Sequence, residues 1–309
     1  MNIKKMIKTA VPVIVIILFG YLVYDNCYLV FNKIEYVYKK YFQLTTKQNL
    51  VDNEYKKNEN YEYVKINNDP KIKIKEELKN AIYTYLDAGW DTYVIKCDSK
   101  YLDCTNDVKE IVENKEELTS ISNFVHPFNT FEEFNTSISS IGRVTLKRKV
   151  RYTDSQRRIL NNKVNEIYNN NYDSSKSIKE NIKIFHDYII NNSKYDANNT
   201  SGLSSLSSSS AYGVLIEGLG ICSGYSDAMS LFLDKMNVRN YRISSNTHIW
   251  NFVYVDGEWK HLDLTWDDPV SYDGEDNLLE DYFLISTEEL EKKQSTEHIF
   301  DKNMYLEAK

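Results

Sequence analysis

Apolar residues are unevenly distributed along the chain, and the first long apolar run predicts a membrane anchor. Residues 9–24, "TAVPVIVIILFGYLVY", contain no charged side chain and follow three lysines. As a helix they extend about 24 Å, slightly short of the roughly 30 Å bilayer core, and "CYLVF" can lengthen the helix. We predict that residues 1–31 form a cytoplasmic stub and an uncleaved transmembrane signal anchor, with the remainder outside the cell; a cleaved signal peptide is the alternative.

The polar stretch that follows, residues 32–70, lacks a sustained apolar face. Its segment "KQNLVDNEYKKNENYEY" is rich in Lys, Asn, Glu and Tyr. Because regularly spaced apolar residues are missing, we predict a stalk or linker here.

Residues 71–152 alternate between helical and strand-like patterns. Leu78, Ile82 and Leu86 recur at helical spacing in "KIKEELKNAIYTYLDAG", and "DTYVIKC" is typical of a strand. "TNDVKEIVENKEEL" again predicts a helix, whereas "TSISNFVHPF" and "SIGRVTLKRKVRY" alternate or are β-branched and predict strands. We therefore predict a small α/β domain, whose sequence identifies no ligand.

Residues 153–309 combine amphipathic helices with three successive strands. "SQRRILNNKVNEIYNNNY" and "SIKENIKIFHDYIINNSKYD" have helical spacing, and "SDAMSLFLDKM" predicts a buried helix. A Ser-rich loop at 201–210 precedes that buried helix and is a candidate lid. "YRISS", "IWNFVYV" and "WKHLDLTW" predict strands, the last two joined by a turn at "DGE". The C-terminal half is therefore predicted to be a second domain of α+β type.

Composition narrows the classes of function. The 309 residues carry a net charge of −7, which argues against a general nucleic-acid binder. Of the four cysteines, Cys97 and Cys104 either form a disulfide, as an exported chain allows, or remain two free thiols. Cys27 lies beside the predicted membrane segment, so Cys222 has no evident partner and is available as a free thiol.

Cys222 has a local setting that suits a nucleophile. Gly218 and Gly220 allow the backbone to bend sharply just before it. At the start of a helix, the dipole favours the thiolate over the thiol. A buried structural thiol and a metal ligand remain as alternatives for this residue.

Two later residues can complete a catalytic group. His248 opens the strand "HIWNFVYV", and Asp263 lies in the next strand of the same hairpin. In a hairpin about this turn, the numbers of two paired residues add up to about 513, as for Val255 and Glu258. The numbers of His248 and Asp263 add up to two less, so their side chains are diagonal neighbours or are separated by a bulge. A carboxylate beside His248 orients its ring and stabilises the imidazolium. The local geometry therefore permits a Cys–His–Asp group.

The segments "GLGICSGYSDAMSLFL" and "HIWNFVYVDGEWKHLDLTWDDP", with "IFHDYIINNSKYD" upstream, resemble the transglutaminase-like superfamily in its bacterial branch. The resemblance covers about residues 155–300 and departs from the usual pattern at Ile249, where Ala is more common. It implies a papain-like α+β core, in which a helix carrying the cysteine packs on an antiparallel sheet carrying the histidine and aspartate. It further implies Cys222 as nucleophile, His248 as general base and acid, and Asp263 as the group that orients His248.

The activity implied is attack by a thiolate on an amide or peptide carbonyl, followed by transfer to an amine or by hydrolysis. Tyr212 is a candidate oxyanion donor and Trp250 a candidate wall of the cleft. We expect no metal and no cofactor, and a protein or peptide substrate at the cell surface. The alternative is a surface-anchored module that binds or scaffolds partners without turnover, although binding alone does not require the three residues.

The remaining polar residues receive plainer interpretations. A zinc site built from Cys222, His248, His261 and Asp263 lacks the usual ligand spacing. We expect His261 to flank the site or to lie on the surface, and His186 to be a packed, hydrogen-bonded structural residue. Asp267 and Asp268 are predicted turn formers. For His298 we favour a surface position over closure across the site.

Overall fold

The computed structural model describes residues 20–21, 24–27, 29, 31–34, 36, 48, 50–139, 142–197, 207–268 and 278–309. The chain divides into two units, Met1–Asn49 and Leu50–Lys309. Residues described between 20 and 36 are helical. Within the described part of the chain, no helix is both long and apolar enough to span a bilayer. Most of the anchor predicted for residues 1–31 lies outside the described residues.

In the second unit, the first half of the chain forms a four-stranded mixed sheet covered by helices. The strand order is β1-β2-β4-β3, with β1 parallel to β2 and the other pairs antiparallel. A disulfide between Cys97 and Cys104 joins the end of β2 to the start of α2, which settles the alternatives left open by the sequence. The strands are β1 (Lys71–Ile72), β2 (Thr92–Cys97), β3 (Phe131–Ile138) and β4 (Arg143–Val150), and the helices are α1 (Lys75–Asp87), α2 (Cys104–Glu113) and α3 (Lys115–Asn123).

The second half packs three helices against a three-stranded antiparallel sheet. Two of these helices begin with capping boxes, at Thr153 and Ser177, so their starting points are encoded locally. The helices are α4 (Asp154–Asn171), α5 (Ile178–Asn192) and α6 (Cys222–Lys235), followed near the C-terminus by the short α7 (Thr287–Lys292). The strands are the short parallel pair β5 (Lys194–Tyr195) and β6 (Leu219–Gly220), and the sheet β7 (Asn240–Ser244), β8 (Ile249–Val255) and β9 (Glu258–Leu262).

Strand β8 contributes each of its faces to a different apolar cluster. Trp250 and Phe252 pack with residues of the first half of the chain, whereas Val253 and Val255 pack with α4, α5 and α6. This follows from the two-residue period of a strand. On the second face, the Asn251 amide donates to the Ser226 carbonyl and to the Ser230 hydroxyl, both at 2.9 Å. These bonds fix α6 on the strand that begins after His248.

The two halves also share polar contacts. The buried Arg242 guanidinium donates to the carbonyls of Ser122 and Val125 at 3.0 Å, and it forms an ion pair with Asp227. One apolar cluster also contains residues from both sides of position 152. The domain boundary predicted between residues 152 and 153 stays a prediction.

The α+β character expected from the sequence is confirmed, but several segments differ. Residues 50–70, assigned to the stalk, belong to the second unit, where Tyr61 and Val64 are buried. Residues 119–123, the first half of a segment predicted as a strand, belong to helix α3, whose first turn Asn114 caps by accepting from the amides of Glu116 and Glu117. Strand β3 was not predicted. Most of the Ser-rich segment at 201–210, the candidate lid, lies outside the described residues.

Candidate active site

Cys222 is the first residue of α6, and glycines make the approach to it possible. Gly218 has a φ of 70°, a conformation that favours glycine. A Cβ on Gly220 would lie 2.3 Å from the Val214 side chain, so a larger residue does not fit there. Cys222 is a partly exposed free thiol.

His248 and Asp263 lie immediately outside the paired parts of β8 and β9. The register pairs Val255 with Glu258, a sum of 513, as predicted from the turn. Asp263 is therefore offset diagonally from His248, and the Nε2 atom of His248 lies 2.5 Å from Oδ2 of Asp263. The hairpin thus brings two of the predicted residues into direct hydrogen-bond contact.

Backbone contacts hold both of these side chains in place. The His248 amide donates to the Ser245 hydroxyl at 3.0 Å in the turn before β8. The other oxygen of Asp263, Oδ1, accepts from the amides of Thr265 and Trp266 at 3.0 and 3.4 Å. The carboxylate therefore cannot rotate without breaking bonds on both oxygens.

The electrostatics of the group favour charge separation. Burial alone acts to lower the pKa of His248, but the charge and hydrogen bond of Asp263, with a smaller contribution from Cys222, raise it to about 10. Burial acts to raise the pKa of Asp263, yet His248 holds it well below its ordinary value. Because Nε2 faces Asp263, the ring nitrogen left for Cys222 is Nδ1. The structure thus brings the three predicted residues together, and the His248–Asp263 pair favours an imidazolium beside a carboxylate.

Trp250, the candidate cleft wall, is only 1% exposed and therefore does not line an open cleft. Its ring stacks on His248 with centroids 5.6 Å apart. The indole Nε1–H donates to Nδ1 of His261 at 2.9 Å. His261 is itself buried, neither flanking the site openly nor lying on the surface, and burial lowers its pKa to about 3. Trp250 thus backs the His248 ring, and His261 holds the Trp250 indole in place.

His298 was expected on the surface, and that expectation is wrong. It is buried, and its Nε2 lies 2.9 Å from Oδ2 of Asp263, the same oxygen that His248 contacts. The ring stacks on Tyr282 with centroids 4.9 Å apart. No local pattern predicts this contact, because His298 lies 35 residues beyond Asp263 in the chain.

His248, Asp263 and His298 form a cluster of potential metal ligands. In a tetrahedral zinc site, bonds of about 2.0–2.1 Å place ligand atoms roughly 3.3 Å apart. Here both nitrogens are closer than that to one oxygen, at 2.5 and 2.9 Å, which are hydrogen-bond distances. The residues as arranged therefore suit a hydrogen-bonded network better than an ion.

A second histidine–aspartate contact supports the turn after β9. His186 is buried, with Nε2 3.2 Å from Asp267 and Nδ1 2.8 Å from Asp187, so its predicted structural role is confirmed. Asp267 and Asp268 are more than turn formers, since both are buried, and Asp268 accepts from the Tyr225 hydroxyl. These contacts attach the segment after Asp263 to helices α5 and α6.

Tyr212 and Tyr195 differ in their relation to Cys222. Tyr212 immediately precedes the π-helix Gly213–Glu217, and its partly buried ring packs against the apolar cluster that contains α4, α5 and α6. Tyr195 pairs with Gly220 in the β5–β6 ladder, two residues before Cys222. Burial raises the pKa of Tyr195, and the charge of Cys222 acts in the same direction. Tyr195, which the sequence analysis did not identify, thus lies within electrostatic reach of the thiol.

Comparison with known proteins gives distant structural likenesses only. No protein-family model and no curated protein matches the chain. A solved structure described as a "TGase" aligns over 60% of this chain and 54% of its own, with 14% identity and a TM-score of 0.34. Another, described as "a Putative Cysteine Protease from Cytophaga hutchinsonii", aligns over 43% of this chain and 61% of its own, with 13% identity and a TM-score of 0.27. This chain therefore matches less than two thirds of either structure, and we base the functional assignment on the geometry of the site.

Proposed function

We propose that this chain is a thiol enzyme with a transglutaminase-like fold that acts on amide or peptide bonds through a thioester. The observation that carries the proposal is the buried 2.5 Å contact between His248 and Asp263, with Cys222 close enough to His248 to help raise the pKa of its ring. A protein that only binds a partner has no need of a thiol, an imidazole and a carboxylate in this order. The proposal requires neither a metal nor an organic cofactor.

In the first half-reaction, the Cys222 thiolate attacks the carbonyl carbon of the substrate amide, and a C–S bond forms. The carbonyl electrons move to oxygen, which the Cys222 backbone N–H stabilises. The imidazolium of His248 then gives its Nδ1 proton to the amide nitrogen, the C–N bond breaks, and the amine leaves. Asp263 keeps the ring in the orientation that this transfer needs.

The oxyanion needs a second donor, and Tyr195 is better supported in that role than Tyr212. Tyr195 is held beside Gly220 by the β5–β6 ladder, so its main chain runs next to the approach to Cys222. Its hydroxyl is protonated at neutral pH, as in any tyrosine, and burial raises its pKa further. A neutral O–H is the form that can donate to a developing oxyanion.

In the second half-reaction, neutral His248 removes a proton from water or from an amine, which attacks the thioester. The C–S bond breaks, and the thiolate–imidazolium pair is restored. Water gives hydrolysis and an amine gives transfer, and the same three residues serve both reactions. The choice between them is made by what reaches the thioester.

The experiment uses the full-length protein with casein as a general substrate. Incorporation of a fluorescent primary amine measures transfer, and release of soluble peptides measures hydrolysis. We expect one of these activities in the wild type, its loss in Cys222→Ala, and its retention in Cys27→Ala, which removes the other free cysteine. Absence of both activities, together with slow alkylation of Cys222, would contradict the proposal. The alternative, a module that binds partners without turnover, would then be the better interpretation.

We further propose that the enzyme acts at the cell surface, with residues 1–31 as its anchor. The Cys97–Cys104 disulfide supports this location, because such bonds persist in oxidising compartments. Treatment of intact producing cells with a protease tests the idea. We expect loss of the intact chain from intact cells; full protection until the cells are lysed would refute an external location.

A further inference from the structure

His298 and His248 donate to the same oxygen of Asp263. The two Nε2 atoms lie 2.9 and 2.5 Å from Oδ2, and all three side chains are buried. We propose that His298 is a positioning residue for the reaction, which sets how strongly Asp263 holds the imidazolium of His248. This inference rests on the proposed function and adds a fourth residue to it.

The proton positions follow from the contacts. An ionised carboxylate only accepts hydrogen bonds, so both imidazoles carry a proton on Nε2. In a neutral His298 ring, Nδ1 is then an acceptor, and the Ser295 hydroxyl lies 2.9 Å from it. The Ser295 hydroxyl can donate to this nitrogen, so it supports the tautomer of His298 that the Asp263 carboxylate requires.

A second donor on one oxygen weakens the first interaction. Both N–H groups point their positive ends at Oδ2, so part of the charge on Asp263 is neutralised by His298 and is not available to His248. The two donors also repel each other, and more strongly when His248 is an imidazolium. The imidazolium must release its Nδ1 proton to the leaving amine, so a carboxylate that holds it too firmly slows this step.

The aromatic residues around His298 pack against its ring and cannot replace its hydrogen bond to Asp263. Tyr282 stacks on its ring, Trp266 meets it in a T-shaped arrangement, and the Trp250 ring centroid lies 4.8 Å away. The titratable groups that contact His298 or act electrostatically with it are Asp263, His248, His261 and Tyr282, and Glu297 precedes it in the chain.

The test compares His298→Phe, which keeps an aromatic ring against Tyr282 but removes the donor, with His298→Gln, which restores an N–H. The rate of Cys222 alkylation by iodoacetamide is measured from pH 4 to 11 on the full-length protein. The profile has a lower step where the thiolate–imidazolium pair forms and an upper step where His248 loses its proton. Melting temperatures are measured in parallel, because a purely structural role changes only these.

We expect the upper step to move to higher pH by at least about half a unit in His298→Phe and to return toward the wild-type position in His298→Gln. Ser295→Ala, a change at a partly exposed residue, should move it in the same direction by a smaller amount. If the upper step is unchanged in both His298→Phe and Ser295→Ala, the proposed role of His298 is wrong, while the proposed function of the enzyme still stands. If His298→Phe does not fold, an unchanged step in Ser295→Ala has the same meaning. A single ordinary thiol step in the wild type would instead overturn the proposed function, and the role of His298 with it.

Discussion

Replacing Asp263 by Asn is the sharpest perturbation of the proposed site. The amide has nearly the same shape, so the backbone bonds from Thr265 and Trp266 can still reach the side-chain oxygen. The negative charge disappears, and an amide N–H turned toward His248 would force the proton onto Nδ1, the nitrogen assigned to Cys222. The variant thus removes both the charge and the tautomer selection.

The structure sets the scale of the effect. The pKa of His248 is raised from 6.5 to about 10, and one unit corresponds to about 1.4 kcal/mol. The full shift therefore represents roughly 5 kcal/mol of preference for the imidazolium, shared between Asp263 and Cys222. Because burial opposes the charged ring, loss of Asp263 should lower this pKa by at least about two units.

The assay follows the histidine ring signals by NMR in protein labelled with ¹³C-histidine, with His248→Gln used to assign the His248 signal. In the wild type we expect His248 to remain protonated to about pH 10, and in Asp263→Asn to titrate below about pH 8. Turnover on casein should fall by roughly 10³–10⁴, the loss seen when a triad carboxylate becomes an amide.

Asp256→Asn is the matched control. Asp256 lies exposed in the turn of the same hairpin with a φ of 55°, a conformation that Asn tolerates well. It should leave the titration of His248 unchanged. A His248 midpoint that stays near 10 in Asp263→Asn would refute the view that Asp263 supplies the stabilising charge.

Three further predictions concern stability and pH. Gly224→Ala places a Cβ 2.6 Å from the Ser208 carbonyl, so the start of α6 must shift. We expect the free energy of unfolding, measured by chemical denaturation, to fall by about 1–3 kcal/mol and the alkylation of Cys222 to slow. An unchanged melting temperature would contradict this prediction. Reduction of the Cys97–Cys104 disulfide, which has a sequence separation of 7, should lower the free energy of unfolding by about 2.5 kcal/mol and the melting temperature by roughly 5–10 °C. In the control variant Cys97→Ala/Cys104→Ala, the reductant should have no effect on the melting temperature. Because the pKa of His248 is raised in the folded state, its contribution to stability is complete below pH 6.5 and is lost as the pH rises toward 10. Between these limits, the free energy of unfolding should fall more steeply with pH in the wild type than in His248→Gln. Equal slopes would count against the raised pKa.

Local rules explain why much of the second half could be predicted. Helical spacing identified α4, α5 and α6, and capping boxes at Thr153 and Ser177 define two of their starts. The turn "DGE" fixed the hairpin register, which in turn placed His248 diagonal to Asp263. Each of these signals acts over a few residues and so can be read along the chain.

The errors have equally local causes. The strand predicted for residues 119–128 rested on β-branched and apolar residues, while the cap at Asn114 and the buried Leu118 and Ile121, three residues apart, specify a helix. Residues 50–70 look polar because only a few of their side chains, among them Tyr61 and Val64, reach the core. A stalk and a surface segment with sparse anchoring residues have similar compositions.

The sequence by itself determined the three residues of the proposed site, their order and the elements that carry them, because glycine, turn and periodicity signals are local. Only the tertiary structure placed His298 on Asp263, Tyr195 beside Gly220, and a buried His186 against Asp267. These contacts join residues far apart in the chain, and their formation depends on how the sheet, the helices and the C-terminal segment pack around a shared core. Such packing depends on the combined volume and shape of many side chains, so no short stretch of sequence encodes it.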